Sequence, residues 1–211
     1  MTTRPRYDEN YPSEHSGSHN MFVKVCGITN LEDGLAAVEA GARALGFIFY
    51  PPSPRGVTVQ QVEEFAARLP GNIWKVGVFV DEQPAVIRSI AQRVGLDIAQ
   101  LHGAETPDDH PAGLRIWKAF RIKNGHIPHP DYPAEAVLLD GPGSGQTFDW
   151  NLASALTRPL ILSGGLTPEN VREAIAKTSP WGVDICSGIE ATPGRKDHQR
   201  MKQFMEAALR S

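Results

Sequence analysis

The chain has 211 residues, of which 41% are hydrophobic, enough for one sizeable domain with its own apolar core. Its formal net charge of -3 and sequence pI near 6.2 exclude the basic surface with which proteins hold nucleic acids, although a single phosphate could bind locally. The two cysteines, Cys26 and Cys186, form no CxxC pair. This usage disfavours a disulfide scaffold or a zinc ribbon and favours a reducing cytoplasm.

Residues 1–20 are polar throughout and lack both the apolar centre of a secretory signal and a run long enough to cross a membrane. We expect a disordered leader here, one domain over residues 21–211, and no membrane partner. His15 and His19 have a spacing that suits metal binding only on a preformed helix. This segment has no helical pattern, so we interpret both as solvated.

From Phe22 onward, short runs of Val, Ile, Leu and Phe alternate with helical periodicities, and Gly, Pro, Asn, Asp or Thr mark the changes. Alternation of this kind predicts a parallel sheet. Eight strands are predicted, at residues 22–25, 44–49, 73–80, 97–101, 114–120, 135–140, 159–163 and 182–186.

Several of the segments between these strands carry helical signals. Apolar residues share one face over 59–69, 86–94 and 201–209. Asn30 or Thr29 opens the first helix, and Thr167 with Pro168 suits the start of a later one. In contrast, residues 122–133 contain three prolines, which forbid a regular helix, so a loop is predicted to replace helix five.

Eight βα units close into a (β/α)₈ barrel or split into an open doubly wound sheet, and the count of eight favours closure. The first βα turn reads Cys26-Gly27-Ile28-Thr29-Asn30 rather than G-x-G-x-x-G, so no nicotinamide or flavin cofactor is indicated. We therefore predict an α/β fold, a single (β/α)₈ TIM barrel in which helix 5 is reduced to a loop.

Two apolar strands end in a proton-transfer side chain followed by glycine, at Cys26 and at Asp140. Ligands of parallel sheets lie beyond the carboxyl ends of the strands, so both groups are expected on one rim. The Cys26 thiol fits a nucleophile, a general base or an inert core group. Asp140 fits a turn cap or, in an apolar setting, a proton donor. A thiol facing a carboxylic acid suggests acid–base chemistry.

Glycines also follow the seventh and eighth predicted strands, in Gly164-Gly165 and in Ser187-Gly188. The corresponding loops of barrels often bind phosphate through free amides, and glycine lets the backbone approach closely. These loops predict a phosphorylated small-molecule ligand. Arg55 lies in a proline-rich loop after the second strand, where a guanidinium can pair bidentately with a carboxylate; the alternative is a surface arginine.

Taken together, these segments resemble the phosphoribosylanthranilate isomerase family of tryptophan biosynthesis, from Lys24 to the last helix. The motifs that carry the resemblance are KVCGIT (24–29), GFIFY (46–50) with SPR (53–55), QLHG (100–103), LLDG (138–141), FDW (148–150), SGGLTPEN (163–170) and GVD (182–184). The resemblance implies a (β/α)₈ barrel with a reduced helix 5. It also implies the third step of tryptophan synthesis from chorismate, the Amadori rearrangement of N-(5-phosphoribosyl)anthranilate to 1-(2-carboxyphenylamino)-1-deoxyribulose 5-phosphate, without metal or organic cofactor.

The resemblance also implies roles for individual residues. Asp140 would protonate the furanose ring oxygen so that the ring opens to an iminium ion, and the Cys26 thiolate would remove the proton on C2. Arg55 would bind the anthranilate carboxylate. The loops at Gly164, Gly165, Ser187 and Gly188 would take the phosphate. Asp184 lies near the site in the family pattern, but the resemblance gives it no chemical step.

Cys186 departs from the family, in which serine is usual at this place. Because strands one and eight are neighbours in a closed barrel, Cys186 is hypothesised to approach Cys26 and to cross-link with it under oxidation. The sequence leaves open whether the chain is a monomer or a homodimer.

Two rival functions remain at this stage. One is an isomerase for the analogous aminated phosphosugar of the histidine pathway, whose enzymes use carboxylic acids at both catalytic strand ends; Cys26 argues against it. The other is a sensor that only binds phosphorylated metabolites, which would not need an acid–base pair.

Overall fold

The computed structural model describes residues 21–122, 126–128, 131–141, 147–155 and 159–210. Eight parallel strands form a closed barrel in sequence order. They are β1 (Phe22–Val25), β2 (Ala44–Ile48), β3 (Trp74–Phe79), β4 (Ile98–Leu101), β5 (Arg115–Arg121), β6 (Ala136–Asp140), β7 (Leu160–Leu162) and β8 (Gly182–Ile185). The predicted (β/α)₈ barrel is confirmed, the open sheet is wrong, and every predicted strand boundary lies within one residue of the observed one. The predicted leader, residues 1–20, lies outside the described residues.

Five α-helices pack around the described barrel: α1 (Leu31–Glu39), α2 (Val59–Ala66), α3 (Pro84–Val94), α4 (Val171–Thr178) and α5 (His198–Leu209). Local signals fix their ends. Asn30 caps α1 by accepting a hydrogen bond from the Asp33 amide at 2.9 Å, as predicted. Gly95, in the left-handed conformation, ends α3.

Three of the eight βα units contain no α-helix among the described residues. The described parts of 122–133 form none, in agreement with the predicted loss of helix 5; residues 123–125 and 129–130 of that segment are not described. The sequence predicted only this loss. However, 3₁₀ helices replace the α-helices after β4 (Pro107–Asp109) and after β6 (Trp150–Ala155). Pro111 lies two residues after the end of the Pro107–Asp109 helix and prevents its continuation.

The predicted start of α4 at Pro168 is also wrong, because the helix begins at Val171. Asn170 explains the difference. Its side-chain amide accepts from the Thr167 backbone at 2.8 Å and donates to the carbonyl of Gly165 at 2.9 Å. These bonds hold residues 167–170 as a turn that braces the loop after β7.

The interior of the barrel is apolar towards the amino ends of the strands. Its buried cluster consists of Ala44, Val76, Ile98, Trp117, Ala119, Ala136, Leu138 and Ile161. At the amino end, the Phe22 ring stacks on Trp181 at 4.3 Å between centroids. Side chains alternate along a strand, so continuing the inward series towards the carboxyl ends reaches Cys26, Gln100, Asp140, Ser163 and Asp184. The polar residues of the interior therefore meet at one end.

An antiparallel hairpin that the sequence did not predict follows β8. Its strands are β9 (Glu190–Thr192) and β10 (Arg195–Lys196), with Gly194 between them in the left-handed conformation. Among the described residues, no helix has the length and apolar character needed to span a membrane.

Candidate active site

A cavity of about 600 Å³ opens at the carboxyl ends of the strands. It is lined by every residue that the sequence singled out: Cys26, Arg55, Asp140, Gly164, Gly165, Asp184, Ser187 and Gly188. It is also lined by Gln100, His102, Arg121 and Cys186, which were not among the predicted site residues. The fold thus brings together residues that are up to 162 positions apart in sequence, from 26 to 188.

Cys26 follows the last residue of β1, and its amide donates to the carbonyl of Ile185 on β8 at 2.8 Å. The cysteine is 6% exposed. Gly46 on the neighbouring strand β2 makes room for the thiol, because a Cβ at that position would lie 2.7 Å from the Cys26 sulfur. The neighbouring strands β8 and β2 therefore fix the position of the thiol at the mouth of the barrel.

The two cysteines are neighbours, and each shifts the pKa of the other. A hydrogen bond from Cys186 and the charge of Lys24 lower the pKa of Cys26 to about 6, against burial and the Asp184 carboxylate, which raise it. The hydrogen bond to Cys26 and burial raise the pKa of Cys186 well above its ordinary value. The thiolate is therefore favoured at Cys26 and the proton at Cys186.

Lys24 is fully buried inside the barrel and had no predicted role. Its Nζ atom lies 2.7 Å from Oδ1 of Asp184. Burial lowers the pKa of Lys24, but Asp184 and Cys26 raise it, and the net result lies above the ordinary value. Ser163 donates to the second carboxylate oxygen of Asp184 at 3.3 Å. A permanent cation thus stands beside the Cys26 thiolate.

Asp140 ends β6, and its surroundings are more polar than the sequence suggested. Its Oδ2 atom lies 3.3 Å from Nε2 of His102 and 3.9 Å from Nε of Arg121. The expected apolar setting is therefore wrong. The buried Nε2 of His102 makes no hydrogen bond within the described part of the chain.

The loop after β7 has the geometry of an anion cradle. Gly164 and Gly165 both have positive φ, 77° and 67°, and a Cβ at Gly164 would overlap the backbone nitrogen of Gly141. A Cβ at Gly188 would overlap the carbonyl oxygen of Leu166. The amides of Gly164 and Gly165 donate to no other described residue. They are therefore available to a bound anion.

Arg55 lines the same cavity and pairs side-on with Glu190 of β9. Its Nε donates to Oε1 at 2.8 Å and its Nη2 to Oε2 at 2.7 Å. Lys196 of β10 completes the group, with Nζ 3.0 Å from Glu190. Neither partner was predicted, because 135 positions separate Arg55 from Glu190 and no local pattern connects them.

A second cavity, of about 770 Å³, lies beside the first and shares His102 and Arg121 with it. None of the predicted site residues lines it. Two of its charged residues, Lys118 and Glu105, are almost fully buried and already paired, at 2.6 Å. The chemistry of the barrel mouth therefore belongs to the smaller cavity.

Comparisons with known proteins identify the family. The family model for N-(5'-phosphoribosyl)anthranilate (PRA) isomerase matches residues 23–207. The N-(5'-phosphoribosyl)anthranilate isomerase of Solibacter usitatus (strain Ellin6076) is 49% identical over 196 residues, covering 89% of this chain and 97% of that protein. A solved phosphoribosyl anthranilate isomerase in complex with reduced 1-(o-carboxyphenylamino)-1-deoxyribulose 5-phosphate is 40% identical, with a TM-score of 0.80 over 89% of this chain and 98% of the other. Monomers generated from the dimeric enzyme of Thermotoga maritima match with the same identity, coverage and TM-score. The chain therefore belongs to the N-(5'-phosphoribosyl)anthranilate isomerase family.

Proposed function

We propose that this chain catalyses its family's reaction of tryptophan biosynthesis, with Asp140 as general acid and Cys26 as general base. The reaction converts N-(5-phosphoribosyl)anthranilate to 1-(2-carboxyphenylamino)-1-deoxyribulose 5-phosphate. The observation that carries the proposal is that the thiol and the carboxyl line one cavity, together with Arg55 and the Gly164-Gly165 loop. One acid, one base and two anion sites match this substrate, which has a carboxylate at one end and a phosphate at the other.

The reaction needs no external oxidant or reductant. Asp140 gives a proton to the furanose ring oxygen, the bond from that oxygen to C1 breaks, and the nitrogen lone pair forms an iminium ion. The iminium makes the proton on C2 acidic, and the Cys26 thiolate removes it. The resulting enolamine takes a proton at C1 and loses the proton of its C2 hydroxyl, which leaves the ketone at C2. Each positioned proton transfer typically contributes about 10²- to 10⁴-fold to the rate.

The surroundings of Cys26 suit this role. Proton abstraction by a thiolate is most effective when the pKa lies near the working pH, and Lys24 and Cys186 together bring the pKa of Cys26 to about 6. Both oxygens of Asp184 are already engaged, by Lys24 and by Ser163. We therefore propose that Asp184 lines the cavity mainly to hold Lys24 in place beside the thiolate.

His102 is the group placed to assist the acid. Its Nε2 faces Asp140 at 3.3 Å and makes no hydrogen bond within the described part of the chain. A small shift of the imidazole or the carboxyl would let them share a proton when the substrate binds. We propose that His102 orients Asp140 towards the ring oxygen.

The two anion sites hold the substrate across the acid–base pair. The free amides of Gly164 and Gly165, with the close backbone at Ser187 and Gly188, are proposed to bind the phosphate. Arg55 is proposed to bind the anthranilate carboxylate. We also propose a reaction without metal or organic cofactor, a cytoplasmic location, no nucleic-acid or membrane partner, and a monomer or homodimer.

Turnover of freshly generated N-(5-phosphoribosyl)anthranilate, followed by the loss of its fluorescence, tests the proposal. Asp140→Asn and Cys26→Ala are each expected to lower kcat by about 10²- to 10⁴-fold, because each removes one proton transfer. Arg55→Ala should chiefly raise KM. Circular dichroism should show folded protein for all three variants.

Asp97→Asn is a matched control, because that carboxylate accepts from the Lys75 amide at the amino ends of the strands, away from the cavity. Near-native turnover in Asp140→Asn or Cys26→Ala would contradict the role of that residue. If the wild type binds the substrate without turning it over, the sensor function is favoured and the proposed enzymatic function is wrong.

A further inference from the structure

The Arg55 guanidinium is held in one orientation before any ligand arrives. Its side chain is 21% exposed, and three bonds tie Nε and Nη2 to the Glu190 carboxylate at 2.8, 3.0 and 2.7 Å. Nη1 makes no hydrogen bond within the described part of the chain. A free arginine loses considerable rotamer entropy when a ligand fixes it, and a prior side-on pair removes that cost from the binding step.

Glu190 is itself fixed from several directions. Its side chain is 4% exposed, and its Oε1 atom accepts from Lys196 Nζ at 3.0 Å and from the Gly194 amide at 3.2 Å. Lys196 is fully buried at its side chain and also donates to the carbonyl of Cys186 at 3.2 Å. Its backbone amide donates to Asp33 on α1 at 3.0 Å. The β9–β10 hairpin therefore ties Arg55 to both the end of β8 and the first helix.

The net charge of Arg55, Glu190 and Lys196 is positive, so these three residues together still attract an anion. An Arg–Glu pair alone would be neutral and would gain little from a second carboxylate. The buried ammonium of Lys196 adds a second positive charge, so the group of Arg55, Glu190 and Lys196 carries a net charge of about +1. Neither Glu190 nor Lys196 lines the cavity, so both act on a ligand through Arg55.

We infer that Glu190 and Lys196 are positioning residues that aim Nη1 and the free edge of Nη2 of Arg55 into the cavity and so select substrates with a carboxylate on the aryl ring. The inference rests on the proposed function. It deepens that function by assigning the choice of aryl amine to the hairpin after β8, a segment that contributes no side chain to the reacting atoms.

Two stable ligands separate selectivity from turnover. Reductive amination of ribose 5-phosphate with anthranilate gives an N-(2-carboxyphenyl)aminoribitol 5-phosphate, and the same reaction with aniline gives the analogue without the carboxylate. Calorimetry measures Kd for both. The wild type is expected to prefer the carboxylate ligand by about 10- to 100-fold, the usual strength of a charge-assisted bidentate pair.

Although it raises the net charge of the group, Glu190→Gln should weaken binding of the carboxylate ligand by about tenfold or more, because Arg55 loses the side-on pair that holds it in position. The aniline ligand should stay within about twofold, because it does not use Arg55. The KM of this variant for N-(5-phosphoribosyl)anthranilate should rise more than its kcat falls. In the double variant with Arg55→Ala, Glu190→Gln should add no further loss, since the two residues act as one unit. Glu190→Asp, which keeps the charge, should recover part of the selectivity.

Glu135→Gln is the matched control, because Glu135 makes the same side-on pair with Arg115 at the amino end of β5, with Nε 2.9 Å from the carboxylate. It should change neither ligand's Kd. Equal weakening of both ligands by Glu190→Gln, or an unchanged preference for the carboxylate, overturns the inference. A wild type that prefers the carboxylate ligand but turns over no substrate would instead overturn the proposed function and leave the selectivity standing.

Discussion

Lys24 lies on β1 and Cys26 directly follows that strand, two residues further on, so both side chains point into the barrel. This placement gives the thiolate a buried cation whose own charge is secured by Asp184 at 2.7 Å. The three groups form a row of alternating charge, and the sign of each neighbour's effect on the thiol follows from it. Lys24 lowers the pKa of Cys26, whereas Asp184 raises it.

The activity should therefore follow the ionisation of Cys26. In the proposed mechanism the thiolate is the active form, so kcat/KM is expected to rise as the pH increases through about 6 and to fall below it. Lys24→Met removes the stabilising cation and should move this rise to higher pH. Asp184→Asn removes an opposing charge and should move it to lower pH.

Titration of the thiolate by its ultraviolet absorbance is the decisive measurement, since the substrate phosphate also titrates at a pH of about 6 and contributes to the kinetic profile. Cys26→Ala supplies the baseline. If the thiol titrates near its ordinary value of about 8.5 in the wild type, or if both substitutions move it in one direction, the proposed base is wrong.

The neighbouring thiols also bear on the hypothesis of oxidation. Peroxide is expected to react first with the Cys26 thiolate: an S–O bond forms, the O–O bond breaks and hydroxide leaves. Cys186 then attacks the sulfenic acid, releasing water and forming a disulfide. Activity should be lost and should return with dithiothreitol, and mass spectrometry of the digested protein should find the two peptides joined.

Cys186→Ser is the comparison, because it keeps a hydroxyl that can donate to Cys26 but cannot form the disulfide. Without a second thiol, the sulfenic acid should progress to irreversible forms, so dithiothreitol should restore much less activity than in the wild type. Equal recovery in both proteins would exclude the cross-link.

At the scale of elements, the strands were predictable and much of the site followed from them. Alternating side chains on buried parallel strands place Cys26 and Asp140 in the same interior, and the same rule extended by two residues reaches Lys24. Only residues at the strand ends were predicted in this way. Lys24 could have been identified from the sequence, because it is a charged residue at an inward position of an otherwise apolar strand.

The elements outside the barrel were less predictable because long-range contacts determine them. Residues 190–196 have neither an apolar alternation nor a helical period, and the hairpin is held by the pairs of Glu190 and Lys196 with distant residues. Likewise, Asn170 stands at the N-cap of α4, but its side chain bonds the Gly165 carbonyl rather than the first turn of that helix. Local propensity therefore identified turns but not the partners that fix them.

At the scale of the whole molecule, the barrel separates the residues that stabilise it from those that react. The amino end is closed by aromatic rings, with Trp117 fully buried between Trp74 and Trp181 at centroid distances of 6.2 Å. The carboxyl end holds buried charges that are paired with one another, as in Lys24–Asp184, Lys118–Glu105 and Lys196–Glu190. Such a division allows the loops to carry chemistry that the core does not depend on.

This separation predicts that core substitutions at the amino end change stability and leave substrate binding alone. Trp117→Ala should lower the free energy of unfolding by about 3–5 kcal/mol, the usual cost of deleting a buried aromatic side chain. Ile98→Val, a milder change in the same cluster, should cost about 0.5–1.5 kcal/mol. Urea denaturation measures both, and KM for N-(5-phosphoribosyl)anthranilate should stay within about twofold of the wild type, since the energy is lost from the core rather than from the cavity. Cys26→Ala is the converse control, expected to lower kcat by about 10²- to 10⁴-fold with a much smaller loss of stability than Trp117→Ala. A KM that rises in proportion to the lost stability across the two core variants would show that the two ends of the barrel are coupled and would contradict the separation.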